Sequence, residues 1–366
     1  MSEAWRCNLQ TLMKGISSLV LERSDALRAT GMAIGIQTNG RRALDQLRVG
    51  SKLRPTSFPL KGLGEARCLR RSVLLEALAS DLPSGTIRFG SRLLAIAMDP
   101  ETSYPILRLH DGSVIKAKVV IGCDGVNSEV ANFLDSRPPR MSPTCNVRGF
   151  MIYPDGHGYS HDFVTINHNH VFLGRVPLDE KSVYWFIARP WTHQDSTISK
   201  NSDLIKQSTV ESMAGFPAEI LEMIENSEPD SLSLTGTRYR APWDMLFGSF
   251  RKGTVTVAGD AMHVMGPFLG QGGSAALEDA IVLARCLAPH MTSPDQGELS
   301  REIIGGALDS YITERRMRLV RLSAKTYTIG SLLKSTSLVV KLICILMIIL
   351  FFRDRFGHTR YDCGRL

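Results

Sequence analysis

Thr254–Ala280 reads TVTVAGDAMHVMGPFLGQGGSAALEDA, and its three parts decide the fold. Thr254 to Ala258 are β-branched or small apolar residues suited to a buried strand, and Gly259 lets the backbone come close to whatever lies beside the strand end. Asp260 then stands at the carboxyl end of that strand. Beyond the loop, Ala276, Ala280, Leu283, Ala284 and Leu287 recur at helical spacing, which predicts a helix start near Ser274 with its free backbone donors toward the glycine cluster. One ionised acceptor thus sits beside a helix start whose dipole favours negative charge, a layout suited to a polyol phosphate or an anionic ring. The alternative is a surface Asp that caps a turn before an ordinary core helix. His263 has no second His or Cys at metal-ligand spacing, so a hydrogen-bonded loop histidine is expected there and no metal site.

The rest of the chain frames that stretch. Its 366 residues predict about two domains. Apolar and charged contents of 43% and 22% are those of a globular protein. The net charge of +7 can help attract anionic cofactors, but it is not gathered into the dense runs of nucleic-acid-binding arms, so no nucleic-acid partner is expected. Seven scattered cysteines without a CxxC pair point to free thiols in the cytoplasm or another reducing compartment. A secretory signal is not evident. Leu338 to Phe352 is apolar almost throughout, yet shorter than the roughly 20 residues of a spanning helix and interrupted by Lys341. A buried or interfacial helix is expected there. The basic helix before it, Glu314 to Arg321, reads as a solvated face, or with the apolar run as a contact with an anionic membrane surface.

Taken in order, Ser18 to Glu22 is a short apolar strand ending in an acid, and Arg41 to Leu47 is a short helix with Asn39 as N-cap and Gly50 just beyond its end. Leu74, Leu78 and Leu82 share the face of a second helix with Arg71 at its mouth. Asp111-Gly112 is a hairpin signal, and the run after it, Val114 to Ile121, reads as one strand ending at Asp124-Gly125 before a helix. From Arg140 to Arg240, alternating segments such as His170–Val176 and Ser182–Ile187 predict an antiparallel sheet. Its Tyr184, Trp185 and Phe186 either line a pocket or pack in the core.

The central stretch resembles the GDAxHxxxPxxGQGxxxxxEDA motif of class A flavoprotein monooxygenases, the plant branch related to salicylate hydroxylase-like proteins and zeaxanthin epoxidase. Two further segments resemble the same family in the same order: Arg71 falls on its RxxLxxxL arginine, and Asp124-Gly125-Val-Asn-Ser on its DG motif. The resemblance implies an α/β fold, with a Rossmann-like FAD-binding domain (1–139 and 241–300), a mixed or antiparallel β-sheet substrate domain (140–240) and a C-terminal helical segment (301–366) that carries the apolar run 338–352. It implies FAD contacts from Glu22, Arg23, Arg71, Asp124, Gly125, Gly259, Asp260, Pro267, Gly270, Gln271, Gly272 and Gly273. Glu22 would meet the adenosine ribose, Asp260 the ribitol or pyrophosphate, and the helix start the pyrimidine edge of the flavin. The chemistry would be the flavin's, with no catalytic side chain needed.

One departure stands out. The family opens with a GxGxxG strand–helix unit about twenty residues before the acid that ends the second strand. Met1 to Lys14 contains no glycine, so this FAD-binding domain is expected to be incomplete at its N-terminus. The implied activity is oxygen insertion from O2 into a small aromatic or alkene substrate with NAD(P)H as reductant. The departure keeps two others in view: a non-catalytic relic that binds partners or a membrane, and a flavin oxidoreductase that inserts no oxygen.

Overall fold

A computed structural model describes residues 16–27, 33–61, 64–291, 301–335, 337–354 and 356–366. The expectations placed on Met1–Lys14 and on Gly15 lie outside them. The chain enters through β1 (Val20–Leu21) and β2 (Ala33–Ile36), turns into α1 (Thr38–Gln46), and returns through β3 (Phe58–Pro59) and β4 (Arg67–Arg70) into α2 (Arg71–Ala79). β4 lies antiparallel to both β2 and β3, while β1 runs parallel to β5 (Ile87–Arg88). Leu74 and Leu78 of α2 are buried in the main core, and Leu82, just past the helix end, packs against it.

Two boundaries of α1 differ from expectation. Its N-cap is Gln37, and Asn39 lies inside the first turn, fully buried, because its amide is drawn inward to a buried glutamate. The left-handed residue after the helix is Arg48, with φ 60°, and Gly50 instead begins a one-turn helix, Gly50–Leu53.

β6 (Leu93–Met98), β7 (Pro105–Leu109) and β8 (Val114–Lys116) form an antiparallel meander with Gly112 left-handed at the hairpin, φ 83°. The apolar run after that hairpin is two strands. β8 stops level with the start of β7, the Ala117 N–H bonds the Pro105 carbonyl, and the chain crosses to a different sheet as β9 (Val120–Gly122). The run Val114 to Ile121 carries no glycine or proline to mark that change of partner. α3 (Glu129–Phe133) follows.

β10 (Arg140–Ile152), β11 (Val164–His168), β12 (Val171–Pro177), β13 (Ser182–Pro190) and β14 (Ser233–Tyr239) form an antiparallel sheet in the order β11-β12-β13-β10-β14. Alternation along β13 assigns its two faces. Val183, Trp185 and Ile187 pack beneath α4 (Ser202–Glu211) and α5 (Ala218–Glu225), where the Trp185 indole N–H donates to Ser227 Oγ at 2.7 Å. Trp185 is therefore core. Tyr184 and Phe186 face the opposite way, against Leu60, Ala66, Cys68 and Phe150.

After α6 (Pro242–Phe247), β15 (Arg251–Lys252) pairs antiparallel with β16 (Val255–Val257), and β16 runs parallel to β9. α7 (Gly272–Met291) begins two residues before the expected start, and α8 (Arg301–Lys334) crosses it. Ile304, Leu308, Tyr311, Leu319 and Leu322 of α8 belong to the same core as β9, β16 and α7. α9 (Leu338–Phe351) packs on α8, and residues 356–366 return to α1, where the Gln46 side chain bonds the Gly364 carbonyl and the Leu366 N–H.

Candidate functional site

The site forms where β16 ends. Val255, Thr256 and Val257 are buried, and the Ala258 N–H continues the parallel ladder to the Gly122 carbonyl at 2.9 Å. Gly259 then adopts φ 60° and ψ −142°, a backbone region open essentially to glycine alone. That turn lifts Asp260 out of the ladder into a one-turn helix, Asp260–His263. Pro267 starts a single 3-10 turn, Gly270 ends it in the left-handed region at φ 59°, and α7 begins at Gly272. A Cβ added at Gly272 would stand 4.0 Å from Asp260 Oδ1, so the strand-end carboxylate lies beside the first turn of α7. At Gly273 an added Cβ would meet Ile34 Cδ1 at 2.7 Å, which seats the loop against β2.

A buried ionic cluster holds this geometry, and sequence reading missed it. Asp279 Oδ2 accepts the Gly259 N–H at 2.9 Å and lies 2.6 Å from His263 Nε2. Arg315 of α8, fully buried, donates Nε–H to Asp279 Oδ1 at 2.7 Å and places Nη2 2.7 Å from Glu278 Oε2. Arg318 reaches Glu278 Oε1 at 2.9 Å and the His358 carbonyl at 2.7 Å, and its guanidinium lies 4.6 Å from the centre of the Tyr361 ring. Asn39 donates to Glu278 Oε1 at 2.5 Å and to Gln271 Oε1 at 2.9 Å. The side chain of Gln271 is thus turned inward. The Glu314–Arg321 segment is accordingly not a wholly solvated face: Arg315 and Arg318 are buried, while Met317 and Arg321 are exposed. Arg315 and Arg318 neutralise buried acids, and Arg316 caps α6 by donating to the carbonyls of Met245, Leu246 and Gly248. The readable signal was an Arg-x-x-Arg spacing on one helix face matched to adjacent acids on another.

Burial pushes the Asp279 carboxyl up, but His263, Arg315 and the Gly259 N–H outweigh it and hold it well below the usual carboxylate range. A depressed folded-state value contributes stability that is present above the unfolded value and lost as pH falls. The difference in melting temperature between the native protein and Asp279→Asn should therefore be full at neutral pH. It should shrink below about pH 4, the ordinary carboxylate range. A difference constant across that range in pH-resolved thermal unfolding would remove Asp279 from this role.

The remaining expected residues follow strands of three different sheets. Glu22 follows β1, is buried, and accepts the Ser24 N–H at 2.9 Å, with Arg23 beside it exposed. Arg71 is the first residue of α2. Asp124 follows β9, but its carboxylate works within its own turn: it accepts the Glu129 N–H at 2.8 Å and the Ser128 hydroxyl, capping α3, while Gly125 turns left-handed at φ 83°. Arg70 points the other way, donating to Ser182 Oγ at 2.7 Å and lying 3.7 Å from Asp179 on the antiparallel sheet. Arg71→Ala should lower flavin affinity about tenfold, the loss of one charge-assisted bond. Arg70→Ala should leave flavin retention unchanged and cost at most about 1 kcal/mol, because its ion pair is half-exposed. Equal effects on flavin retention at the two positions would overturn the register.

A cavity of about 330 Å³ opens between the glycine loop and the antiparallel sheet. Met265, Gly266 and Phe268 wall one side, Thr237, Tyr239 and Arg240 another, and Thr326, Tyr327 and Gly330 of α8 a third.

Parallel strand ends that present acids, a glycine turn at a helix start, and a cavity against a second sheet define a flavin-binding α/β class. Residues 69–325 match the family model described as FAD binding domain. Monooxygenase 1 of Arabidopsis thaliana is 46% identical over 376 residues, 96% of this chain and 94% of that protein, and Monooxygenase 2 of the same plant is 34% identical over 96% and 93%. Klebsiella pneumoniae HpxO, solved with FAD and uric acid, superposes with a TM-score of 0.78 at 18% identity, covering 98% of this chain and 93% of that one. The chain belongs to the class A FAD-dependent monooxygenases, and FAD is its cofactor.

The residues fit that cofactor. Glu22 and Asp260 carry carboxylates of the kind that accept sugar and ribitol hydroxyls, Arg71 carries a cation of the kind a diphosphate needs, and α7 starts on two glycines.

Proposed function

We propose that this protein inserts one oxygen atom from O2 into a small aromatic or alkene substrate, with NAD(P)H as reductant. The observation that carries the reading is Asp260 beside the first turn of a 20-residue helix, on a loop that also walls the 330 Å³ cavity. Bound FAD supplies the redox chemistry. Residues 1–139 and 241–300 hold it: Glu22, with Arg23 at its rim, toward the adenosine ribose, Arg71 at the diphosphate and Asp260 at the ribitol. Asp124 shapes the Gly125 turn. The α7 N-terminus, through Gly272 and Gly273 with Gly270 and Pro267 before them, lays its dipole along the pyrimidine edge and favours the negative charge of the reduced ring. The sheet of 140–240 covers the cavity and excludes water, and the apolar run 338–352 of the 301–366 segment contacts a membrane surface.

The test begins with the isolated protein. Yellow protein with stoichiometric FAD, NAD(P)H consumption and incorporation of isotopically labelled O2 across a panel of phenols and alkenes would support the reading. Colourless protein would favour the relic, and flavin turnover without label in product would favour an oxidoreductase.

A further inference from the structure

α9 has an inverted surface. Its inward stripe is narrow, consisting of Lys341, Cys344 and Ile348 at helical spacing, with Cys344 alone fully buried against the body of the protein. Every other side is apolar and open. Leu338 is 70% exposed and Leu350 62%, and Leu342, Ile343, Leu346 and Ile349 are exposed between them. A surface helix of a soluble domain presents its apolar stripe inward and polar residues outward. Here the outward face carries the greater apolar area, and large contiguous patches of this kind mark interaction sites. At 14 residues the helix is about 21 Å long, short of the roughly 30 Å hydrocarbon core of a bilayer. None of the helices among the described residues is long and apolar enough to cross a membrane.

Two observations identify what covers it. A folded partner covers one side of a helix, whereas α9 is apolar on every side except its seat, which only a fluid apolar phase can meet throughout. Between Leu338 and Leu366, moreover, Lys and Arg outnumber Asp, and Arg353 stands exposed at the end of the apolar run, the charge sign that anionic headgroups attract. The cavity beside the glycine loop reaches this helix, because Ser335 and Val340 complete its lining beyond Ser331.

We propose that α9 lies in the boundary between headgroups and acyl chains of a lipid bilayer, and that the cavity draws its substrate from that bilayer past Val340. The substrate is then a membrane-dissolved lipophile carrying the oxidisable ring or alkene. This rests on the monooxygenase reading for the chemistry, but the docking does not.

Flotation of the full chain with phosphatidylcholine vesicles, with and without phosphatidylserine, tests the docking. The native protein should float, more so with phosphatidylserine, and L342Q/L346Q/I349Q should lose at least tenfold in bound fraction while keeping its FAD and its melting temperature. For the route, dodecylphenol carried in vesicles should perturb the absorbance of the bound flavin in the native protein. In Val340→Trp, which keeps α9 apolar and floats normally, that response should fall at least tenfold. Native protein that stays with the aqueous phase overturns the proposal, as does a native dimer that the triple variant converts to monomer. A Val340→Trp protein that responds like the native one overturns the entry route. Neither readout needs turnover, so normal docking and spectral response without labelled product would sink the monooxygenase reading and leave this one standing.

Discussion

Arg315→Met is expected to destabilise the protein by about 3–5 kcal/mol, because it leaves two buried carboxylates facing each other without their shared cation. Glu278 and Asp279 are both fully buried, and Arg315 lies 2.7 Å from each. That cost is a large share of the roughly 5–15 kcal/mol by which a domain is stable. Denaturant unfolding of the flavin-free protein measures it directly. The loss should be mostly recovered when Glu278→Gln and Asp279→Asn are added, since the penalty comes from uncompensated charge and not from missing volume. A single Arg315→Met variant within about 1 kcal/mol of the native protein would show that Arg318 and His263 are enough to hold the two carboxylates. Flavin retention should fall as well, because Asp279 also fixes the Gly259 N–H from which Asp260 is presented.

Asp260→Ala is expected to act on the cofactor and hardly at all on the fold. A charge-assisted hydrogen bond is worth roughly 1.5–3 kcal/mol, about tenfold to over a hundredfold in FAD affinity. Asp260 is only half-buried at the start of a one-turn helix, so melting of the flavin-free protein should barely move. Equilibrium dialysis of FAD against the two proteins separates these effects. Equal affinity would take Asp260 out of the site, and a large drop in flavin-free melting would make it a structural residue.

What could be read from the sequence followed how local each signal is. The strand Val255–Val257, the glycine turn and the long helix after it are each encoded within a few residues, and all three form. The alternation of Ser182–Ile187 likewise foretold an antiparallel strand, because period two is a property of the strand itself. Partner choice is not local. The split of the Val114–Ile121 run into β8 and β9 depends on Pro105 and on a strand more than a hundred residues later. For the same reason Asn39 was read as a cap when its amide is taken by Glu278, and Arg315 and Arg318 were read as solvent-facing when their partners lie on a different helix. The acids of the motif were visible; that they support the loop from behind was not.

The ion cluster also bears on how the molecule is made. Glu278 and Asp279 leave the ribosome before Arg315 and Arg318, and these before His358 and Tyr361. During synthesis α7 therefore carries two carboxylates on the side that must be buried before either arginine exists, with only His263 and Asn39 made to meet them, and seating them so poorly paired is costly. Docking of α7 has to wait for α8, and the Arg318 end of the cluster for residues 358–361. Until then the apolar faces of β9, β16 and α7 remain open to water and to other nascent chains. Maturation of the flavin half is thereby a late, concerted closure that follows translation through Tyr361.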